Sequence, residues 1–380
     1  MSGSVDPFTI EVPDAHLDDL RRRLRQTRWP EAETVPDGSQ GIRLTEVREL
    51  CERWASAYEW RATERRLNTL PQFTTVLDGL RVHFAHVRSS REDAVPVVLT
   101  HGWPGSFLEF EHVVPLLTEP ASGPAFHVVV PSLPGYGFSE KPAEAGWGIH
   151  RIARAWAELM DGLGYGPFVA CGSDWGTSVS TSLAIHHGER LLGVHLVPPL
   201  VPPQPGDLTP AEAQAQRELA ERAATGSAYS VVHQTRPQTI GYALLDSPVG
   251  LCAWLAEKML AWCGRDSHGA PTLTRDQVLD GVTLYWLTGT GASSARLYWE
   301  SIEEVSSWFS ADGGPTLHVP TGCSVFPAEA PRPSRRSAEQ RLTDIVHWGE
   351  PPRGGHFAAW EQPELFAAEL QATAAALTAG

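Results

Sequence analysis

Lysine is nearly missing from this 380-residue chain: only Lys141 and Lys258 occur, and arginine supplies the other basic side chains. Acidic residues outnumber basic ones by 45 to 30, a formal net charge of −15. That sign repels phosphate backbones and anionic lipid, so no nucleic-acid or membrane-surface partner is expected. Cysteine is scarce as well. Cys51, Cys171, Cys252, Cys263 and Cys323 are odd in number, widely spaced and without a Cys-x-x-Cys pair. This argues against a disulfide framework or a zinc cluster and suits reduced thiols in the cytoplasm. No apolar run is long enough to span a bilayer. The opening "MSGSVDPFTIEVPDAHL" has no basic stretch followed by an apolar one, so no signal peptide is expected.

The composition is otherwise that of a globular protein, 42% hydrophobic and 20% charged, long enough for a large core. Its abundance of alanine, glycine and proline, with arginine in place of lysine, points to a GC-rich, bacterial-type genome.

Periodicity orders the chain. "DAHLDDLRRRLRQTR" (14–28) has leucines at helical spacing, and a second helix is expected over about 44–68. "FTTVLDGLRVHFAHV" reads as a hairpin about Asp78-Gly79. "VPVVLTHG" (95–102), "FHVVVPSLPG" (126–135), "PFVACGS" (167–173) and "LLGVHLV" (191–197) are apolar runs suited to buried strands. Amphipathic helices at 150–165 and 176–191 lie between them. This alternation predicts an α/β fold on a mostly parallel sheet. After the proline-rich "PPLVPPQPGDLTP", residues 209–310 read as helical, and strand character returns at 316–322 and 344–348. The helical insertion is expected over the C-terminal strand ends, where such sheets bind ligands.

The stretch "CGSDWGT" (171–177) follows one of those strands and precedes a helix. Gly172 and Gly176 suit a strained strand-turn-helix elbow that exposes its central side chain, here Asp174. Alone, the pattern is equally that of a helix N-cap. A carboxylate nucleophile would form an ester, whose hydrolysis needs a base and an oxyanion hole. His356, in the glycine-rich "RGGHFAAWE" after the last strand, is the candidate base. Glu329, in "TGCSVFPAEAP", is the best candidate for its acid partner, with Asp344 and Glu361 as competitors. The order nucleophile, acid, histidine is that of α/β-hydrolases. The backbone N–H groups of Trp175 and of Trp103, in "HGWPGS", are the expected oxyanion donors. The Trp103-Pro104 bond suits a cis turn. The same loop lacks the Lys-Ser/Thr that a phosphate cradle requires.

These pieces resemble the epoxide hydrolases of the α/β-hydrolase fold, in the microsomal and juvenile-hormone branch. The resemblance runs through "FTIEVPDAHLDDLRRRLRQTRWP", "YEWRATERRLNTLPQFTTVLDGLRVHFAHV", "HGWPGSFLEF", "PSLPGYGFSEKP", "GSDWGT", "LLDSPVGL", "LYWLTGT", "FPAEA" and "RGGHFAAWEQPE". It implies an N-terminal helical extension (1–72), a core of 73–197 and 311–380, and a helical cap (198–310). It also implies Asp174 as nucleophile, His356 as base and Glu329 as its charge partner. Two cap tyrosines would donate to the epoxide oxygen. Tyr298 matches one, and Tyr229 is the choice for the other, with Tyr242 and Tyr285 as alternatives. The expected substrate is a small apolar epoxide, the product a vicinal diol, and no cofactor or metal is needed. The anchor helix of membrane-bound members is not expected here. A homo-oligomer is left open. Two other readings share these residues: a haloalkane dehalogenase with the same aspartate, its halide on Trp175, and a non-catalytic binding module.

Overall fold

The computed structural model describes residues 4–310 and 314–378. The expected boundary at 311 and the outermost residues of the expected domains lie outside the described residues. Among the described residues nine strands form one sheet, in the order β1-β2-β3-β5-β4-β6-β7-β8-β9. The chain opens with β1 (Asp6–Phe8), α1 (Asp14–Arg25), α2 (Leu44–Ser56) and α3 (Trp60–Leu67). It continues through β2 (Gln72–Leu77), β3 (Leu80–Val87), β4 (Val95–Thr100), α4 (Val113–Thr118) and β5 (Phe126–Pro131). Next come α5 (Ile149–Gly162), β6 (Phe168–Ser173), α6 (Trp175–His186) and β7 (Leu191–Val197). An insertion follows: α7 (Pro210–Gly226), α8 (Ala228–Thr235), α9 (Pro237–Asp246), α10 (Pro248–Trp262), α11 (Arg275–Thr288) and α12 (Gly291–Ser307). The chain closes with β8 (Thr321–Ser324), α13 (Arg335–Ala338), β9 (Ile345–Gly349), α14 (Ala358–Glu361) and α15 (Pro363–Thr378).

The strands β4 to β9 pair in parallel, as their apolar runs predict. Their side chains vanish from solvent on both faces: Val97, Val98, Phe168, Val169 and Ala170 are fully buried. The hairpin forms where Asp78-Gly79 predicts it. Both turn residues take positive φ, 48° and 81°, as a type I′ turn requires.

Three expectations change. The helix expected over 44–68 is two helices. It breaks at Ala57–Glu59, and there the Tyr58 hydroxyl donates to Asp280 of α11 at 2.6 Å. Thr63 and Arg66 of α3 donate to the same carboxylate at 2.6 and 2.8 Å. A tertiary anchor 222 residues away thus overrides local periodicity. The N-terminal segment is not purely helical, because β1 adds an edge strand to β2. The strand expected from 316 begins at Thr321, and Leu317 makes only an isolated bridge with Leu342.

The Asp280 cluster has a structural consequence. With the Arg53–Asp276 pair at 2.6 Å, it fastens the N-terminal helices to the insertion that overhangs the sheet.

Candidate active site

The sheet register assembles the site. Parallel pairing of Thr100 with Gly172 places the loops after β4 and β6 side by side. Asp174 sits at the turn from β6 to α6 with φ 54° and ψ −123°, a left-side conformation rare for a residue with a side chain. The flanking glycines make the turn possible. A Cβ on Gly172 would stand 2.1 Å from the Gly176 backbone, and one on Gly176 would stand 1.9 Å from the Thr100 carbonyl oxygen. Asp174 occupies the N-cap position of α6, but its side chain makes no cap bond and is left free of that role.

Its carboxylate is held from both sides. The Trp103 N–H donates to Oδ1 at 2.8 Å, and the Trp103-Pro104 bond is cis, as expected. Trp175 opens α6 directly after Asp174. His356 Nε2 lies 3.4 Å from Oδ2. On the other side of the ring, Nδ1–H donates to Glu329 Oε2 at 2.8 Å. Of the three candidate carboxylates, Glu329 is the one in contact with His356 Nδ1. Glu361 binds backbone amides instead, and Asp344 opens the approach to β9, where its carbonyl accepts from Thr321.

Burial by itself drives His356 toward its neutral form. The Glu329 and Asp174 carboxylates outweigh that cost and push it up to about 10. Glu329 also receives the Ala330 N–H at 2.7 Å and stands 3.7 Å from Arg222 of α7.

A cavity of about 190 Å³ opens above these groups. Asp174, His356, Glu329, Tyr229 of α8 and Tyr298 of α12 all line it, and Leu200, Ile302 and Phe309 supply apolar wall. Burial, reinforced by Asp174, raises Tyr229; burial, then Tyr229 and Asp174, raise Tyr298 well above the usual phenol range. Both hydroxyls are thus protonated donors at neutral pH. The alternatives are placed elsewhere. Tyr285 is spent on the Gly105 carbonyl at 2.8 Å, and Tyr242 is 69% exposed. A larger groove of about 620 Å³, between Trp147, Arg296 and Trp299, contains neither Asp174 nor His356.

A family profile described as "Epoxide hydrolase N terminus" matches residues 5–110, and one described as "alpha/beta hydrolase fold" matches residues 95–317. A candidate epoxide hydrolase of Stigmatella aurantiaca is 50% identical over 375 residues, which cover 97% of this chain and 84% of that protein. The chain belongs to the epoxide hydrolases of the α/β-hydrolase fold. Among solved structures, the Aspergillus niger epoxide hydrolase matches the enzyme with a TM-score of 0.88 and 36% identity, over 98% of this chain and 96% of that one. The juvenile hormone epoxide hydrolase of the silkworm Bombyx mori matches with a TM-score of 0.84 and 28% identity, over 99% and 94%.

Sequence reasoning missed several residues at this epoxide hydrolase site. His233, one helical turn after Tyr229, is fully buried against Trp103 and Tyr298, and its Nε2 accepts from Trp254 at 3.0 Å. Its spacing of four from Tyr229 was a readable signal. Glu109 forms a capping box with Ser106, and burial pushes its carboxyl up to about 8. The Ser-x-x-Glu spacing was readable too. Arg222 carried no such signal. Among the described residues no single helix is long and apolar enough to cross a membrane.

Proposed function

We propose that the enzyme hydrolyses small apolar epoxides to vicinal diols through an ester on Asp174. The observation that carries this reading is Asp174 itself, strained outward, with Trp103 N–H on one oxygen and His356 beside the other. In the first step Asp174 Oδ2 attacks an epoxide carbon. The ring C–O bond breaks, and the freed oxygen takes a proton from Tyr298 or Tyr229. In the second step His356, oriented by Glu329, takes a proton from water. The hydroxide attacks Asp174 Cγ, and the Trp103 and Trp175 N–H groups stabilise the oxyanion. The ester bond then breaks. The leaving oxygen, formerly of Asp174, takes the proton from His356 and departs in the diol; the water oxygen stays in the carboxyl, whose proton returns to the tyrosine.

The electrostatics suit two steps. The imidazolium raised by Asp174 and Glu329 accompanies an ionised nucleophile. Esterification removes the Asp174 charge, which lowers His356, so that it gives its proton to solvent and can act as a base.

In this reading residues 198–310 are the cap, 73–197 with 311–380 the core, and 1–72 the extension that braces the cap. The five cysteines are buried free thiols, which suits a cytoplasmic enzyme. The apolar wall of Leu200, Ile302 and Phe309 suits an apolar substrate. Supplying styrene oxide and a haloalkane in parallel tests the proposal. Diol from the epoxide is expected. Halide release without diol would overturn it in favour of a dehalogenase.

A further inference from the structure

Glu361 ends α14, five residues after His356, and it is not the acid that orients the imidazole. Its carboxylate takes four donors instead. Oε1 accepts the Phe357 N–H at 3.0 Å. Oε2 accepts the Gly355 N–H at 3.2 Å, the Gly264 N–H at 2.6 Å and the Thr272 hydroxyl at 2.6 Å. Gly355 and Phe357 are the residues on either side of His356. Gly264 and Thr272 belong to the loop between α10 and α11, in the helical insertion. The amide of His356 itself donates to the Trp262 carbonyl at 3.0 Å. Three consecutive amides around the base are therefore engaged by one carboxylate and one carbonyl.

The two segments meet main chain to main chain. A Cβ on Gly355 would stand 2.5 Å from the Gly264 nitrogen, and a Cβ on Gly264 would stand 2.9 Å from Glu361 Oε2. A side chain at Gly355 would force the base loop and the insertion apart, and one at Gly264 would push on the Glu361 carboxylate. The Trp262 ring completes the contact, 5.0 Å from the imidazole at 65°.

We propose that Glu361 is a positioning residue for the hydrolytic half-reaction. It ties the backbone on both sides of His356 to the insertion, so the imidazole keeps its place between Glu329 and Asp174. This inference rests on the reading of His356 as the base. Ester formation relies on Asp174, its turn and the two tyrosines, none of which lies on this loop. The second step depends on where the imidazole points far more than the first, in which the histidine transfers no proton. A displacement of about 1 Å is enough to cost a well-oriented step ~100-fold.

The test follows single turnovers of the full-length enzyme with styrene oxide as probe, with intact-mass measurement of the covalent ester. In Glu361→Gln the side-chain amide faces donors where a carboxylate oxygen stood. Hydrolysis is expected to slow about 10- to 100-fold while ester formation stays within about 3-fold, so the ester accumulates. Equal losses in both half-reactions, or an unchanged hydrolysis rate, would overturn the inference. Thr272→Val removes one donor from the insertion and leaves both His-flanking amides their acceptor. A smaller loss confined to hydrolysis is expected, and this variant decides the matter if Glu361→Gln does not fold. His356→Gln is run beside them. If it turns over normally and traps no ester, the base assignment falls, and this inference falls with it.

Discussion

Arg222, on a helix of the insertion, stands 3.7 Å from Oε1 of Glu329, the carboxylate that receives His356. Its guanidinium also lies over the Trp262 ring, 4.9 Å from the centroid, and Trp262 in turn packs on His356. The pair is partly exposed, so its expected contribution is modest, ~1 kcal/mol. Arg222→Met should lower kcat about 5-fold, the same quantity expressed as a rate. Arg222→Lys keeps the charge without the planar stack and should fall between the two. Steady-state kinetics on one epoxide decide; a kcat unchanged in Arg222→Met would show the pair to be idle.

Asp174→Asn removes the nucleophilic charge and should abolish both ester and diol. A single turnover of the wild-type enzyme in ¹⁸O-water offers a sharper reading. The first diol should be unlabelled at the new hydroxyl, and the label should appear in Asp174. Mass spectrometry of product and of the active-site peptide reads both. Label in the first diol would mean that water attacks the epoxide directly.

The His356 proton carries a pH signature. Its folded pKa of about 10 lies above the usual imidazole value, so the resting enzyme holds imidazolium through neutral pH and loses it as pH rises through about 10. Part of the rise comes from Asp174, so neutralising that residue must lower it. An NMR titration of His356 in Asp174→Asn should give a lower pKa than in wild type. The hydrolytic half-reaction should likewise gain rate with pH through a value below 10. Equal titration curves in both proteins would remove Asp174 as a cause.

Tyr229 and Tyr298 share one cavity above Asp174. Each Tyr→Phe change should slow ester formation about 100-fold, the usual cost of one donor to a developing oxyanion. Hydrolysis of ester already formed should barely change. The double variant should lose less than the product of the two, because the phenols act as one unit on the same oxygen. Stopped-flow measurement of the first step is the check. A Tyr229→Phe enzyme with normal ester formation would leave Tyr298 as the sole donor.

Much of this was legible before the fold. Valine-rich runs such as "VPVVLTHG" announce buried parallel strands, and paired glycines about Asp174 announce a turn that only strain explains. What stayed hidden depends on distant partners. The break at Tyr58 follows from Asp280, and the clamp at Glu361 follows from Gly264 and Thr272, 97 and 89 residues away. The strand β1 has three residues and no apolar alternation, so its place comes from β2 and not from its own sequence. Local pattern fixes which segments fold; polar contacts between remote segments decide where they bend.

The 2.8 Å bond from Trp103 N–H to Asp174 reaches further than the chemistry of one oxygen. In a serine esterase the carbonyl to be polarised arrives with each new substrate and must be aligned afresh. In the proposed mechanism the carbonyl of the second step is the enzyme's own, and its oxygen already rests against the Trp103 N–H. Deacylation therefore runs on a target of constant shape, whatever alkyl group the ester carries. Discrimination between one epoxide and another, or between mirror images of the same one, falls to the opening of the ring.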